Sequence, residues 1–453
     1  MKIRYKIDKS SFRSPSRGLG GRLLLIALIL TLVLDAQNVV IDGEIRPRTE
    51  YQDGFKTPIL ATNDPGFFTS QRTRLGFTFT SGLLTTQITV QDARVFGQYT
   101  STDATASTGI YEAWADMVLF TGAALKFGRQ AINYDDKRLF SSPVWSITGT
   151  THDLAVLKYI INDYQAHIGL AYNSKSETAT EVFYVPGTKY HSMAFLWLSS
   201  PVINDFTLTG MVVDEGLQDT LGLGGVANYK KTKMVQTITY GGNLKYESTE
   251  FPLSGLVTAY FQGGENIAGK TMTGKMAALK LNYQFTNSII ASLGTDYLSG
   301  DANGTSDGKV SNFKKLYGAD HTFNGYMDYW NTPLNTGLLD YYGSVTAKIG
   351  KDLSLECGYH VFNTEYAGKN KKNIAYNKNI GSELDFLITY KLNSWTTIQG
   401  GYCKYFSNNN TFIAKDIATS ATTIPEIRSP QWAYVMFTVK IPPSLPPNPL
   451  KGE

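Results

Sequence analysis

From Val39 onward, polar and apolar residues alternate along segments of 8 to 14 residues, and this alternation most limits how the chain can fold. Successive side chains of a β-strand point to opposite faces, so a period of two predicts strands with one polar and one apolar face. In the first segment, Glu44 and Arg46 share one face while Ile41 and Ile45 share the other. Helical periodicity is almost absent. The sequence therefore predicts an all-β protein.

About 18 such segments follow one another, and the lengths of their connections alternate. The predicted strands begin near Val39, Thr69, Leu83, Ile110, Ala124, His152, Tyr164, Ser192, Phe206, Val235, Leu253, Thr273, Ser288, Leu338, Leu353, Gly381, Thr396 and Gln431. Connections after even-numbered strands are short, and include 81–82, 121–122, 161–163, 286–287, 350–352 and 393–394. Most of those after odd-numbered strands are long, and include 135–150, 215–234, 299–337, 364–380 and 407–430. Short periplasmic turns and long extracellular loops are typical of outer-membrane barrels.

Composition favours a membrane barrel over a secreted β-sandwich, which alternates in the same way. Aromatic residues make up 13 % of the chain, and Tyr and Phe recur near the ends of the apolar faces, as an aromatic girdle requires. The polar faces carry several charges per strand, which a water-filled lumen can solvate. We therefore predict a transmembrane antiparallel β-barrel of about 18 strands, with bilayer lipid and outer-membrane lipopolysaccharide around it.

The first 36 residues read as a secretory signal peptide. Seven basic residues precede an apolar core, Leu23 to Leu34, and a small residue follows at Ala36. Beyond residue 36 there are 35 basic and 36 acidic residues, so the net charge of +4 gives no reason to expect nucleic-acid binding. We expect the barrel to span 37–441 and the Pro-rich residues 442–453 to form a tail.

Motifs for catalysis or for tightly bound cofactors are missing from the sequence. It contains no His-Glu-x-x-His, no Gly-x-Ser-x-Gly and no phosphate-binding loop. The five histidines are scattered, and the Asp/Asn/Gly-rich stretch 301–308 lacks the acidic residue of a calcium loop, having Asn312 in its place. Cys357 and Cys403 fall two strands apart, beyond disulfide reach. We expect no enzyme activity, no cofactor and no metal.

The charged faces are the remaining functional candidates. Arg46, Arg48, Arg72 and Arg74 occupy matching positions on neighbouring strands, and arginine forks in a lumen attract anions. The acidic residues assigned to the same interior are Asp42, Glu44, Glu50, Asp92, Glu112, Asp116, Glu356, Glu383 and Asp385. Two interpretations stay open: a selectivity lining, or a ladder of ion pairs that stiffens the wall.

Several longer motifs resemble the alginate-export family of outer-membrane proteins. They are Gly43-Glu44-Ile45-Arg46-Pro47-Arg48-Thr49-Glu50-Tyr51, Gln71-Arg72-Thr73-Arg74-Leu75-Gly76, Phe127-Gly128-Arg129-Gln130, Tyr134-Asp135-Asp136-Lys137-Arg138-Leu139 with Trp145, His152-Asp153-Leu154, Tyr297-Leu298-Ser299-Gly300-Asp301 and Leu316-Tyr317-Gly318-Ala319-Asp320-His321-Thr322-Phe323-Asn324-Gly325-Tyr326-Met327-Asp328-Tyr329. The resemblance implies an 18-stranded monomeric barrel that passes an anionic polysaccharide through an arginine-rich constriction. It adds Arg94, Arg129 and Arg138 to the pathway residues, beside Glu44, Asp92, Glu383 and Asp385.

The predicted function is therefore passive passage of anionic saccharides or similar polar solutes. A general solute porin, an outer-membrane enzyme at the barrel rim and a plugged adhesin or scaffold are the alternatives. Loop 299–337 is rich in aromatic residues, too many for a solvated loop, so we expect it to fold over or into the lumen. The residues expected to form this gate are His321, Phe323, Tyr326 and Asp328.

Overall fold

The computed structural model describes residues 38–99, 108–143, 145–174, 176–177, 179, 190–218, 234–301, 307–420 and 423–441. The expected signal peptide, 1–36, and the expected tail, 442–453, lie outside these residues.

Eighteen long strands pair in chain order into one antiparallel sheet. They are β1 Asn38–Asp53, β2 Gly66–Ser81, β3 Leu84–Val95, β4 Thr108–Phe120, β5 Ala123–Gln130, β6 His152–Ile161, β7 Tyr164–Tyr172, β8 Ser192–Ile203, β9 Phe206–Gln218, β10 Met234–Glu247, β11 Leu253–Gly264, β13 Lys275–Thr286, β14 Ile289–Leu298, β16 Leu338–Ile349, β17 Leu353–Asn363, β20 Asn379–Lys391, β21 Thr396–Phe406 and β22 Gln431–Ile441. The first strand pairs with the last, from Gly43 opposite Ile441 to Asp53 opposite Gln431, and this pairing closes the barrel.

Four two-residue strands lie in the connections: β12 Thr271–Met272 pairs with β15 Lys309–Val310, and β18 Gly368–Lys369 pairs with β19 Ala375–Tyr376. Helix α1, Asn409–Ala414, begins at the N-cap Asn408, whose side chain accepts a hydrogen bond from the Thr411 amide. A short 3₁₀ turn covers Asp320–Thr322. In the described residues, none of the helices has the length and apolar character needed to span a bilayer.

The predicted strands and connections are confirmed. Each of the 18 long strands begins within three residues of its predicted start. Turns of two to five residues, such as 82–83 and 204–205, join the strands at one end of the barrel. Connections of at least ten residues, such as 54–65 and 299–337, join them at the other end. We call these the turn end and the loop end.

The two faces of the sheet differ as the alternation predicts. On β10, Ile238, Tyr240 and Leu244 are exposed on the outside, whereas Thr239 and Asn243 are buried inside. The large apolar side chains that face outward form the surface that hydrocarbon requires. Cys357 pairs with outward-facing Phe386 and Cys403 with inward-facing Asp385, and neither cysteine forms a disulfide.

The lumen is filled mainly by the connections 131–151 and 299–337. Phe140 from the first, and Met327, Tyr329 and Trp330 from the second, are almost completely buried. In the part of the chain that the structure describes, these connections therefore form a packed core inside the barrel.

The topology predicts which sites are reachable from outside the cell. Lys371, highly exposed in a loop-end connection, should react with a bulky maleimide in intact cells once it is replaced by cysteine. Thr249→Cys, in the 248–252 turn, should react only after the membrane is disrupted. The native cysteines serve as the background control. Labelling of Thr249→Cys but not of Lys371→Cys in intact cells would reverse the orientation.

Candidate functional site

Four arginines form a ladder on the inner face of β1 and β2. The strand register places Arg46 directly opposite Arg72, and Glu44 opposite Arg74. Arg46 and Arg72 are each only 2 % exposed. Like charges directly opposite each other destabilise a sheet unless other groups compensate them. The residues around this ladder must therefore supply acceptors.

Two carboxylates on β1 supply part of the compensation. Glu44 Oε1 accepts hydrogen bonds from Arg72 Nε at 2.8 Å and from Arg72 Nη2 at 2.6 Å. Glu50 accepts from Arg48 Nε at 2.8 Å and also from Trp432 Nε1 at 3.1 Å. Such charge-assisted bonds are about twice as strong as neutral ones. These ion pairs support the interpretation that the ladder stiffens the wall.

The Gln91 side chain accepts from Arg74 Nε at 2.7 Å, and the backbone carbonyls of Trp145, Ser146 and Thr148 supply further acceptors. Arg48 Nη1 donates to the Trp145 carbonyl at 2.7 Å, and Arg46 Nη2 donates to the same oxygen at 3.3 Å. The Ser146 carbonyl accepts from Arg46 Nη2 at 2.9 Å and from Arg72 Nη1 at 3.0 Å. Arg74 Nη2 reaches the Thr148 carbonyl at 3.3 Å. All four arginines thus bind one short stretch of main chain, which we call segment 145–149.

The sequence shapes this segment locally. The Ser146 hydroxyl accepts hydrogen bonds from the amides of Thr148, at 3.2 Å, and Gly149, at 3.1 Å. Gly149 has a positive φ of 73°, and a Cβ added there would lie 2.7 Å from Arg74 Nη2. Only glycine fits this close approach without displacing the arginine. The resulting turn directs the carbonyls toward the ladder.

Trp145 links the segment to the second luminal connection. The Arg48 guanidinium lies 3.6 Å from the centre of the Trp145 ring, and the His321 ring stacks on Trp145 at 4.2 Å. Trp432 and Tyr434 of β22 meet Trp145 edge-on at 5.3 and 4.9 Å. A cation over an aromatic face contributes about 0.5–2 kcal/mol, depending on desolvation. Trp145 is therefore the junction between wall, segment and gate loop.

Backbone hydrogen bonds join the two luminal connections. The Ser141 amide donates to the Tyr317 carbonyl and the Tyr317 amide donates to the Leu139 carbonyl, both at 2.8 Å. The Ala319 amide donates to the Lys137 carbonyl at 2.9 Å. These bonds satisfy polar groups that would otherwise be buried without partners. The two connections form one unit, which we call the plug.

The wall holds the plug on the side of β20 and β21. The Met327 amide donates to Glu383 Oε1 at 2.6 Å, and Trp330 Nε1 donates to the Tyr405 hydroxyl at 2.8 Å. Tyr329 stacks on Tyr405 with ring centres 3.8 Å apart. An aromatic pair adds about 0.5–1.5 kcal/mol beyond area burial. Loop 299–337 therefore folds into the lumen, as predicted.

The predicted gate residues lie in this plug. Besides stacking on Trp145, His321 forms a hydrogen bond between its Nδ1 and Asp328 Oδ1, 2.8 Å apart. Its ring centre lies 5.3 Å from that of Tyr326. Phe323 lies 4.1 Å from the Arg138 guanidinium. Arg138 also makes two bonds to Asp296, at 2.7 and 2.8 Å, and one to Asp136 at 2.6 Å. In this structure Arg138 is a plug anchor, with its charge neutralised by these carboxylates.

The predicted acidic residues Glu383 and Asp385 are fully buried on the inner face of β20. Asp340 on β16 bonds to His360 Nδ1 at 2.8 Å, and His360 Nε2 lies 3.9 Å from Asp385. Strand β20 is the third neighbour of β1 around the barrel. The inner wall therefore carries an arginine ladder and, three strands away, a carboxylate cluster.

Asp92, Arg94 and Arg129 do not line the lumen, contrary to the sequence-based expectation. Arg94 lies opposite Gln71, and Asp92 opposite Thr73, both on the outward face of β2. Arg94 Nε bonds to Asp92 at 2.7 Å. Arg129 makes two bonds to Asp153, at 2.8 and 2.7 Å, and both side chains are exposed. These charges pair with each other on the outside of the barrel, toward its loop end.

A cleft of about 850 Å³ opens beside the plug. Its wall side carries Arg48, Glu50 and Ser70, and its floor is segment 145–149. The residues that line the plug side include Tyr317, His321, Asp328, Tyr329 and Lys415. Arg46, Arg72 and Arg74 lie beneath the floor and do not line the cleft.

Lys415 adds a positive charge to this cleft. Its ammonium donates to the carbonyls of Lys56, at 2.9 Å, and Tyr329, and lies 4.4 Å from the Trp330 ring. Burial lowers the pKa of Lys415 from 10.5 to about 8. The other charged or titratable residues that line the cleft are Arg48, Glu50, Lys56, Tyr317, His321, Asp328 and Tyr329.

Sequence reasoning missed segment 145–149 and Lys415. Every residue has a backbone carbonyl, so the sequence does not show which carbonyls act as acceptors. Lys415 follows α1 in a connection whose path depends on tertiary contacts. The one available hint was the Trp145-to-Gly149 stretch, where a large aromatic residue, a serine and a glycine occur close together. In the described residues, no group of three His, Cys, Asp or Glu side chains is arranged to hold a metal ion.

Comparisons with known proteins show the fold. No protein-family model matches the sequence, and no curated protein matches it. Solved structures match over most of the chain. OccK11 (OpdR) of Pseudomonas aeruginosa is 12 % identical with a TM-score of 0.59, covering 90 % of this chain and 97 % of that chain.

Two further structures match similarly. OpdK of Pseudomonas aeruginosa, solved with vanillate, and OccAB4 of Acinetobacter baumannii are each 10 % identical with TM-scores of 0.57. Each covers 90 % of this chain and 99 % of its own. The chain is therefore a multi-pass transmembrane β-barrel of the outer-membrane type. The alginate-export resemblance finds no support in these comparisons and stays a hypothesis.

The Lys415 pKa gives a pH prediction. The ammonium is charged below pH 8 and loses its proton as the pH rises through 8, so the cleft should attract anions less at pH 9 than at pH 7. Reversal potentials measured in planar bilayers at both pH values should show this fall. Lys415→Arg keeps the charge and should remove most of the pH dependence. An equal fall in anion preference in Lys415→Arg would show that other titratable groups cause the pH dependence.

Proposed function

We propose that this protein is a passive outer-membrane channel for small anionic solutes, including carboxylates and short acidic saccharides. The observation that carries the proposal is the inward-facing arginine ladder at the base of a cleft that opens at the loop end. Planar guanidinium forks match carboxylate geometry, so the ladder favours anions over cations. The similar structures are those of outer-membrane porins, and one of them was solved with vanillate, which carries a carboxylate.

The size of the solute follows from the plug. Two connections fill the lumen beside the cleft, and the cleft of about 850 Å³ has the dimensions of a small-molecule site. This favours a small solute over a long polysaccharide chain. Phe55 also lines the cleft and offers an aromatic surface that a sugar or an aromatic acid can contact.

A plugged barrel that acts as a scaffold or adhesin is the second candidate. The near-complete burial of Arg46 and Arg72 favours it, because no open path reaches them. Single-channel recording of the purified protein separates the two functions. A channel conducts in discrete steps, whereas a scaffold leaves the bilayer current at background.

Replacing the three deep arginines tests the anion role. Arg46→Ala, Arg72→Ala and Arg74→Ala together remove the positive charge under the cleft, so the preference for anions over cations should fall. A hydrated path screens charge, so each single change should act modestly. Reversal potentials in a salt gradient measure the effect.

The chain offers a matched control for this variant. Arg94→Ala with Arg129→Ala removes two arginines from the outer face, toward the loop end, and should leave the reversal potential unchanged. A triple variant with wild-type selectivity would leave Arg46, Arg72 and Arg74 only a structural role.

Loop 299–337 should limit the width of the path. Replacing residues 303–334 by a short Gly-Ser linker removes the buried Met327, Tyr329 and Trp330 from the lumen, so single-channel conductance and the solute size limit should rise. Heat-modifiable migration on unboiled gels verifies that the barrel is folded. Wild-type conductance in a folded deletion variant would show that the loop does not restrict the path.

A further inference from the structure

In this structure a short piece of main chain covers the deep arginines that are proposed to attract the solute. The three deep arginines are expected to contact the solute, but the cleft ends on segment 145–149 above them. Arg46 and Arg72 are 2 % exposed, so a solute in the cleft contacts Arg48 but not the others. Either the deep arginines only anchor the segment, or the segment moves when a solute binds.

The hydrogen bonds that cover Arg46 and Arg72 can be replaced by stronger bonds to a ligand. The Ser146 carbonyl accepts from both Arg46 and Arg72, at 2.9 and 3.0 Å. A carbonyl is a neutral acceptor, whereas a carboxylate forms stronger, charge-assisted bonds with the same donors, Nη2 of Arg46 and Nη1 of Arg72. The carbonyls thus occupy positions where a carboxylate oxygen would bind more strongly.

We propose that segment 145–149 is a displaceable seal over a concealed carboxylate site formed by Arg46 and Arg72. A carboxylate that enters the cleft at Arg48 takes the guanidinium donors from the carbonyls of Trp145 and Ser146, and the segment leaves the wall. The inference rests on the proposed function and adds how the path opens and for which solutes.

The segment is built to move as a unit. The hydrogen bonds from the Thr148 and Gly149 amides to the Ser146 hydroxyl lie within the segment and do not involve β1 or β2. Trp145 keeps its stacking contact with His321 of the plug, which holds the segment from the other side. Nothing covalent ties these five residues to β1 or β2.

Opening by this route is selective. A ligand shifts a conformational equilibrium only by its difference in affinity for the two states. A carboxylate binds the exposed guanidinium groups strongly and the sealed form weakly, whereas a neutral solute of the same shape gains little from opening. The seal therefore opens to anions and stays closed to their neutral analogues.

Hydrogen exchange on the full-length protein in lipid nanodiscs tests the movement directly. Benzoate is the probe, and benzamide, its neutral analogue of nearly the same shape, is the control. Amides in a peptide covering 145–150 should exchange several-fold faster with benzoate than with benzamide, while peptides from β10 and β11 stay unchanged. Equal or slower exchange with benzoate would overturn the seal.

A variant that leaves every arginine in place gives a second readout. Ser146→Ala removes the acceptor that shapes the turn, so the seal should loosen and single-channel conductance without benzoate should rise severalfold. The anion preference should be kept, because the ladder is intact. Ser200→Ala, which removes an exposed hydroxyl bonded only to its neighbour Pro201 at 2.8 Å, is the matched control.

These outcomes separate the seal from the proposed function. An anion-selective wild-type channel, with neither benzoate-dependent exchange nor increased conductance in Ser146→Ala, would overturn the seal and keep the function. A wild-type channel without anion preference would overturn both. Faster exchange with benzoate, together with an anion-selective Ser146→Ala channel of higher conductance, supports the seal.

Discussion

Backbone hydrogen bonding in hydrocarbon is the constraint on which the rest of this structure depends. A strand edge left open in a bilayer would carry unpaired amides and carbonyls at a cost of several kcal/mol each. Pairing of β1 with β22 removes that edge. Closure of 18 strands then encloses a wide lumen, and its inward residues have to be hydrated, paired with one another or covered by other parts of the chain. Here much of the lumen is covered, by connections 131–151 and 299–337.

Covering the lumen places charge in a confined space. The arginine ladder satisfies its donors with Glu44, Glu50 and three backbone carbonyls, and Arg138 does so with Asp136 and Asp296. The same guanidinium groups that attract an anion therefore also fix the position of the plug. Attraction of anions and attachment of the plug therefore depend on the same set of hydrogen bonds.

The sequence predicted the barrel well because strand pairing is encoded locally. Period-two alternation located each of the 18 long strands, and the Gly82-Leu83 and Asn204-Asp205 turns end strands by short-range conformational preference. It failed where the period slips. Pairing of β3 with β4 shifts between Thr89 and Val90, and near such an irregularity the facing of Asp92, Arg94 and Arg129 was assigned wrongly. Contacts such as Arg46 with Ser146, 100 residues apart, depend on tertiary structure and leave no local pattern.

The contacts of β22 couple the plug to barrel assembly. Trp432 and Tyr434 on this last strand pack against Trp145, and Trp432 also donates to Glu50 of β1. The plug therefore packs against the part of the wall where the first and last strands pair, which is the seam of the barrel. Because the plug and the strand pair that closes the barrel share these contacts, a substitution in the plug that removes the Trp145 ring is expected to weaken the packing of the seam as well.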